Sequence, residues 1–266
     1  MTYETLSVTA DASGIVHLAL NRPDKRNALS AQMIADLTAF AAAAAPRRDW
    51  RAVILSGAGD VFCAGGDLDW MRAQIAADRA TRMSEARKLA DMLKALNELP
   101  QPLIGAVQGG AYGGGVGLAA VCDTVVAAED ARFGLTETRL GLIPATIGPY
   151  VIARMGEGRA RRVFFSARLF GAAEARDLGL VARIVATADL AQAAIEEASP
   201  YLATAPGAVA AAKRLARQLG QGGTTEAAVE ASITALADAW EAPEAAEGIA
   251  AFFGKRRPAW DRAPSG

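Results

Sequence analysis

Leu103-Ile104-Gly105-Ala106-Val107-Gln108-Gly109-Gly110-Ala111-Tyr112-Gly113-Gly114-Gly115-Val116-Gly117-Leu118-Ala119-Ala120-Val121-Cys122 holds seven glycines and no charge. The uncharged run begins at Leu99 and lasts 24 residues, enough to suggest a membrane span, and Gly105, Gly109, Gly113 and Gly117 repeat as small-xxx-small. Each glycine, however, costs a helix about 1 kcal/mol against alanine. Pro100 and Pro102 also stop a helix from entering. The stretch therefore reads as a buried strand at Leu103–Val107, a glycine-rich turn, and a short helix at Gly115–Val121.

The same order recurs on either side. Upstream, Arg51–Ser56 reads as a strand and Phe62-Cys63-Ala64-Gly65-Gly66-Asp67-Leu68 as a second glycine turn. A helical region follows over 67–98, with an irregular, charged stretch near 72–82. Residues 4–10 and 14–20 form a hairpin around Asp11-Ala12-Ser13-Gly14. Asn21–Asn27 is a polar, basic loop, and Ser30 caps a helix at Ala31–Ala45 that Pro46 ends. Downstream, Thr124–Ala128 and Val181–Val185 are further strands. From 187 the pattern is helical, over 188–203, 206–219, 224–239 and 243–253. Its many alanines fit close helix packing or a subunit interface. The alternation predicts an α/β core.

Composition narrows the function. At 266 residues, with 52% hydrophobic and 21% charged, the chain has a core and is not disordered. Its 27.5 kDa scale to roughly 11,000 Å² exposed when folded, against roughly 40,000 Å² unfolded. A net charge of -1 gives no basis for a nucleic-acid partner. Two cysteines, Cys63 and Cys122, form no disulfide framework and fit a reducing, cytoplasmic compartment. The start, MTYETLSV, is neither a signal nor a transit peptide. The single histidine, His17, excludes a multi-histidine metal site. It alternates with Val16, Leu18 and Leu20, so it reads as a strand-face residue with a structural role.

Chemistry points to the glycine turns. Each follows a buried strand and precedes a helix start, where backbone N–H groups lack partners and favour negative charge. A tight turn, a phosphate cradle and a pair of N–H groups converging on an oxyanion all remain open. Neither the dinucleotide fingerprint nor the P-loop pattern is present. A third feature is Phe133-Gly134-Leu135-Thr136-Glu137-Thr138-Arg139-Leu140-Gly141-Leu142-Ile143-Pro144. Glu137 lies in a largely apolar run, and such surroundings raise a carboxyl pKa and suit a proton carrier near neutrality. An ion pair with Arg132 or Arg139 is the structural alternative.

Taken in order, several segments resemble the crotonase superfamily of enoyl-CoA hydratases and isomerases, and the resemblance covers essentially the whole chain. They are the hairpin, Asn21-Arg22-Pro23-Asp24-Lys25-Arg26-Asn27-Ala28-Leu29, the Phe62–Leu68 and Tyr112–Leu118 clusters, Cys122-Asp123, Phe133–Gly141 and Phe253-Gly254-Lys255-Arg256-Arg257-Pro258-Ala259-Trp260. The resemblance implies a spiral of ββα units over 1–200, carrying an acyl-CoA site, and a C-terminal helical region over 201–266 used in trimerisation. The assembly would be a homotrimer or homohexamer. It implies N–H donors at Gly66 and Gly114 for the thioester enolate, and Glu137 as the catalytic carboxylate. Lys25, Ala28, Ala64, Asp67 and Leu68 match positions lining CoA, which belongs to the substrate, so no cofactor is expected. Lys255-Arg256-Arg257 is either a phosphate contact to a neighbouring subunit's CoA or a solvated tail.

One position departs. Two-glutamate hydratases carry their first glutamate where this chain has Gly117, and glycine leaves room there. A narrower resemblance, in Asp67-Leu68-Asp69-Trp70-Met71, Gly110–Leu118 and Leu140-Gly141-Leu142-Ile143-Pro144-Ala145-Thr146-Ile147-Gly148-Pro149, is to bacterial methylglutaconyl-CoA hydratases. It implies hydration of a branched or carboxylated enoyl-CoA. Arg72, Arg79 and Arg82 are candidates for a substrate carboxylate, and Tyr112 for the acyl group or the core. The alternative within the family is a 3-enoyl to 2-enoyl isomerase with Glu137 as its single proton shuttle. Outside catalysis, the competing classes are RNA association and a pseudoenzyme that binds acyl-CoA.

Overall fold

The computed structural model describes residues 2–220 and 223–264. Residues 221–222 and 265–266, part of the expected C-terminal region over 201–266, lie outside the described residues, as does Met1. The hairpin forms β1 (Leu6–Ala10) and β2 (Ile15–Leu20), with His17 opposite Thr9. Asp11 Oδ1 accepts the N–H groups of Ser13, Gly14 and Ile15, which closes the turn. Helix α1 (Ala31–Ala44), capped by the Ser30 side chain, crosses to β3 (Ala52–Gly57), which runs parallel to β2.

The helical region expected over 67–98 is two helices, α2 (Leu68–Ala76) and α3 (Arg79–Asn97), and the break between them falls in the irregular stretch expected near 72–82. Ala77 leaves the helical conformation, and Asp78 caps α3 by accepting the Thr81 N–H. The chain then forms β4 (Leu103–Val107), β5 (Gly110–Tyr112) and α4 (Gly114–Val121). Next come β6 (Thr124–Ala128), β7 (Arg132–Gly134) and a 3-10 turn at Glu137–Leu140. Helices α5 (Gly148–Met155) and α6 (Glu157–Phe164), β8 (Leu169–Gly171), α7 (Ala172–Asp177) and β9 (Arg183–Val185) complete this part. The helix expected over 188–203 is shorter, α8 (Leu190–Ala198), because Pro200 turns the chain into a 3-10 segment at Ser199–Leu202. The remaining helices are α9 (Pro206–Leu219), α10 (Glu226–Glu241) and α11 (Pro243–Phe253).

The large sheet has the order β1-β2-β3-β4-β6-β9, parallel from β2 onward, and a small sheet has the order β5-β7-β8. Parallel strands must be buried on both faces, which explains the near-continuous apolar runs. All five residues of β4 are buried, for example. The chain climbs as a spiral, because successive turns place one strand in each sheet and then a helix. Two isolated parallel bridges, Leu29 to Gly66 and Cys63 to Ala111, extend the small sheet back to the earlier turns. The consequence is a row: the starts of α1, α2, α4 and the Glu137 turn stand side by side.

The C-terminal region is tied down at several points, among them Arg217 on α9, which donates to the Asn97 carbonyl at 3.0 Å. Lys213 on α9, nearly buried, donates to Asp123 Oδ2 at 2.6 Å and to the Gln101 carbonyl at 3.1 Å. Asp123 Oδ2 also accepts the Leu103 N–H at 2.7 Å, so one carboxylate joins α9 to the end of α4 and the start of β4. Arg51 donates to the Leu202 and Trp260 carbonyls. Beyond these ties, α10 buries no residue fully, and Trp240, Phe252 and Phe253 are 64%, 79% and 78% exposed. The chain exposes 13482 Å², above the roughly 11,000 Å² usual for a monomer of this mass.

Candidate active site

The row of helix starts is assembled by backbone hydrogen bonds between loops far apart in sequence. Ala64 N–H donates to Arg26 O at 3.0 Å, Leu29 N–H to Gly65 O at 2.7 Å, and Asp67 N–H to Leu29 O at 3.0 Å. Tyr112 N–H donates to Cys63 O at 3.0 Å, and Gly113 N–H to Gly134 O at 2.8 Å. A Cβ added at Gly65 would lie 3.0 Å from Tyr112 O and 4.0 Å from Gly113 Cα. The two glycine turns therefore touch.

Their N–H groups are available. Among the described residues, neither the Gly66 nor the Gly114 N–H has an acceptor. Gly114 opens α4, where no intrahelical acceptor exists. Gly113 before it has φ 47 and ψ -110, a conformation that needs glycine.

Glu137 reaches this place by register. Tyr112 pairs with Gly134 across β5 and β7, so the residues just past both strands face each other. A Cβ at Gly113 would lie 3.0 Å from Glu137 Oε1. Glu137 Oε2 is buried and has no hydrogen-bond partner among the described residues. Burial raises the Glu137 pKa above its ordinary value, opposed only by a hydrogen bond from its own N–H. The ion-pair alternative fails: Arg132 donates to the carbonyls of Asp130 and Ala131, and no ion pair among the described residues involves Glu137.

The residues expected to line a CoA moiety lie on the first two of these joined segments. Lys25 is exposed on a 3-10 turn, Ala28 is buried, Ala64 is half-buried, and Leu68 is 70% exposed at the start of α2. Asp67 is present, but its carboxylate is committed elsewhere. Its Oδ1 caps α2 through the Asp69 and Trp70 N–H groups, and its Oδ2 accepts from Arg22 Nη1 at 2.9 Å. Burial pushes that carboxyl up, but Arg22 and the two N–H groups outweigh it and hold it below its ordinary value. The Tyr112 ring lies against Gly110, where an added Cβ would be 2.5 Å from its Cε2.

Asn27 is the residue whose role the sequence reading did not isolate. It is fully buried, with φ 55 beside Arg26 at φ 51. Its amide donates to the Ala58 and Val61 carbonyls at 2.8 and 2.7 Å, and its Oδ1 accepts the Arg22 N–H at 2.9 Å. These bonds hold two consecutive left-handed residues and thereby shape the loop carrying Lys25 and Ala28. Position alone could have suggested it, since asparagine tolerates that conformation.

Other candidates are engaged elsewhere or lie exposed at the surface, as Arg79 does. Arg82 donates to the Gln74 and Ile75 carbonyls at the end of α2, and Arg72 pairs with Asp69. Arg256 and Arg257 pair with Glu247 and Asp261, leaving Lys255 exposed. Cys63 and Cys122 are buried, and burial pushes both thiols up to about 12, so neither supplies a thiolate. Among the described residues, no three His, Cys, Asp or Glu side chains cluster to hold a metal, and no helix is long and apolar enough to cross a membrane.

The enoyl-CoA hydratase/isomerase family profile matches residues 10–263. The chain belongs to that family. It is 34% identical over 254 residues to the mevalonyl-coenzyme A hydratase sidH of Aspergillus fumigatus, covering 92% of this chain and 91% of that protein. The crystal structure of an enoyl-CoA hydratase from Shewanella pealeana superposes with a TM-score of 0.93 at 34% identity, covering 97% of each chain. AtuE of Pseudomonas aeruginosa superposes with a TM-score of 0.91 at 39% identity, covering 97% of this chain and 100% of that one. The spiral core, with helices at its C-terminal end, is thus the family fold.

Proposed function

We propose that this enzyme adds water across the 2,3-double bond of an enoyl-CoA with a branched or carboxylated acyl group. The observation that carries the reading is the desolvated Glu137 carboxyl, its Oε2 without a partner among the described residues, against Gly113, the cap of α4. The hydratase names of its relatives support the reaction class. The narrower resemblance to methylglutaconyl-CoA hydratases supports the acyl group.

In this reading the thioester oxygen accepts the N–H groups of Gly66 and Gly114. As water oxygen bonds to C3, charge moves onto that oxygen, and the α4 N-terminus favours it there. The second hydrogen then reaches C2 from the protonated Glu137, which the water re-protonates, so one H and one OH are added. Lys25, Ala28, Ala64 and Leu68 line the CoA portion, with Asp67 shaping that wall through its bonds to Arg22 and α2. Tyr112 or the substrate's own carboxylate helps to hold the water.

The test is turnover of a thioester panel read by mass: crotonyl-CoA, 3-methylglutaconyl-CoA and a 3-enoyl-CoA. The branched acid gains one water, and crotonyl-CoA reacts slowly. If the protein only shifts the 3-enoyl bond to position 2, Glu137 is an isomerase shuttle and hydration is wrong. The exposed Trp240, Phe252 and Phe253 support assembly as a homotrimer or homohexamer. Sedimentation at micromolar concentration should show three or six subunits, and a monomer would overturn the assembly.

A further inference from the structure

Gly113 caps α4, and its carbonyl accepts the Gly117 N–H at 3.1 Å, so the two glycines stand one turn apart along the axis. The first meets the Glu137 carboxylate. The second meets a methyl group: a Cβ at Gly117 would lie 2.3 Å from Ile147 Cγ2, 2.9 Å from Ile147 Cβ and 3.8 Å from Leu93 Cδ2. Glycine at 117 therefore does not leave room, because Ile147 already fills it. Ile147 is buried and its backbone is fixed as the cap of α5, with its carbonyl accepting the Tyr150 and Val151 N–H groups, both at 3.1 Å.

Hydration acts on two adjacent carbons: one receives water, the other a proton. A carboxylate at position 117, one helix turn beyond the glycine that Glu137 touches, would be placed to hold that water. We infer that Gly117 and Ile147 form a specificity-determining pair that excludes a second carboxylate beside Glu137. The pair keeps the enzyme slow on plain enoyl thioesters, whose acyl groups bring no polar group of their own. This rests on the hydration reading above for its consequence, but not for its geometry.

The contact makes a specific prediction for a cycle of variants. Gly117→Glu alone forces a carboxylate into Ile147 and Leu93, and lowers the melting temperature. Ile147→Gly alone opens a cavity and also lowers it. Gly117→Glu/Ile147→Gly exchanges one side chain for the other across the same space, so the double variant melts above Gly117→Glu. If Gly117→Glu melts like the wild type, or Ile147→Gly fails to rescue it, the contact does not exclude residue 117 and the inference is wrong. This thermal readout stands even if the protein proves to be an isomerase.

Activity supplies the second arm. The double variant should hydrate crotonyl-CoA at least about tenfold faster than the wild type, since positioned acid–base groups contribute more than that. Its pH–rate profile should gain a second ionisation, which a purely structural change would not produce. A stable, rescued double variant with no gain on crotonyl-CoA and an unchanged profile would overturn the specificity role. Failure of the hydration reading itself would show in the wild type, as the absence of water addition to any thioester of the panel.

Discussion

Glu137→Gln should lower turnover by at least about 10²-fold, the usual scale of a general acid–base group, with the apparent binding of CoA esters little changed. Glutamine keeps the shape that sits against Gly113 and removes the transferable proton. Steady-state rates on the thioester that the wild type turns over check this, and near-normal turnover by the variant would remove Glu137 from the chemistry. The same substitution carries a stability signature of opposite sign. Burial raises the Glu137 pKa above its ordinary 4.5. Between 4.5 and that raised value the folded state holds more protons than the unfolded one, so stability falls as pH rises through the window. At neutral pH the wild type bears the cost of a desolvated carboxylate that the amide avoids. The variant is therefore expected to melt no lower than the wild type at pH 7, with any advantage shrinking as pH falls toward 4.5. An inactive variant that is also strongly destabilised at neutral pH would point to a structural role instead.

Gly114→Pro is expected to cost about 10²–10³-fold more than Gly114→Ala, the effect of deleting one oxyanion donor, on the order of 3 kcal/mol. Both substitutions bring a Cβ against Leu29 Cδ1, which lies 2.6 Å from that position. Only proline removes the N–H. Proline suits the first position of a helix, where that N–H has no intrahelical acceptor, but it also constrains Gly113 before it. Circular dichroism and melting curves are needed to show that the proline variant is folded. Equal rates for the folded proline and alanine variants would exclude the Gly114 N–H from the reaction.

Local pattern accounts for much of this protein. The apolar alternation of β2, the runs of β3 and β4, the Ser30 cap and the glycine-dense approach to α4 are all visible as spacing and residue type. Those signals depend on neighbours within a few residues, where sterics and capping act. The same holds for Glu137 as an isolated carboxyl in an apolar stretch. Where local signals compete, reading along the chain is weaker. The charged stretch near 72–82 marks an irregularity without locating the break at Ala77 and Asp78, and the three-residue strands β5, β7 and β8 are too short for a periodicity. They exist because neighbouring turns of the spiral supply their hydrogen-bond partners.

Which residues meet is a matter of register between distant segments. Tyr112 opposite Gly134 delivers Glu137 to Gly113, the Cys63–Ala111 bridge brings the two glycine turns together, and the Leu29–Gly66 bridge ties the first of them to the segment before α1. No local propensity encodes such pairings, because their partners are tens of residues away and the choice is made by the packing of the whole core. Position 117 shows the difference most sharply. As a letter, glycine suggests empty space. In the folded chain that space belongs to Ile147, thirty residues on, because α5 packs against α4 and a close-packed interior leaves no volume unclaimed.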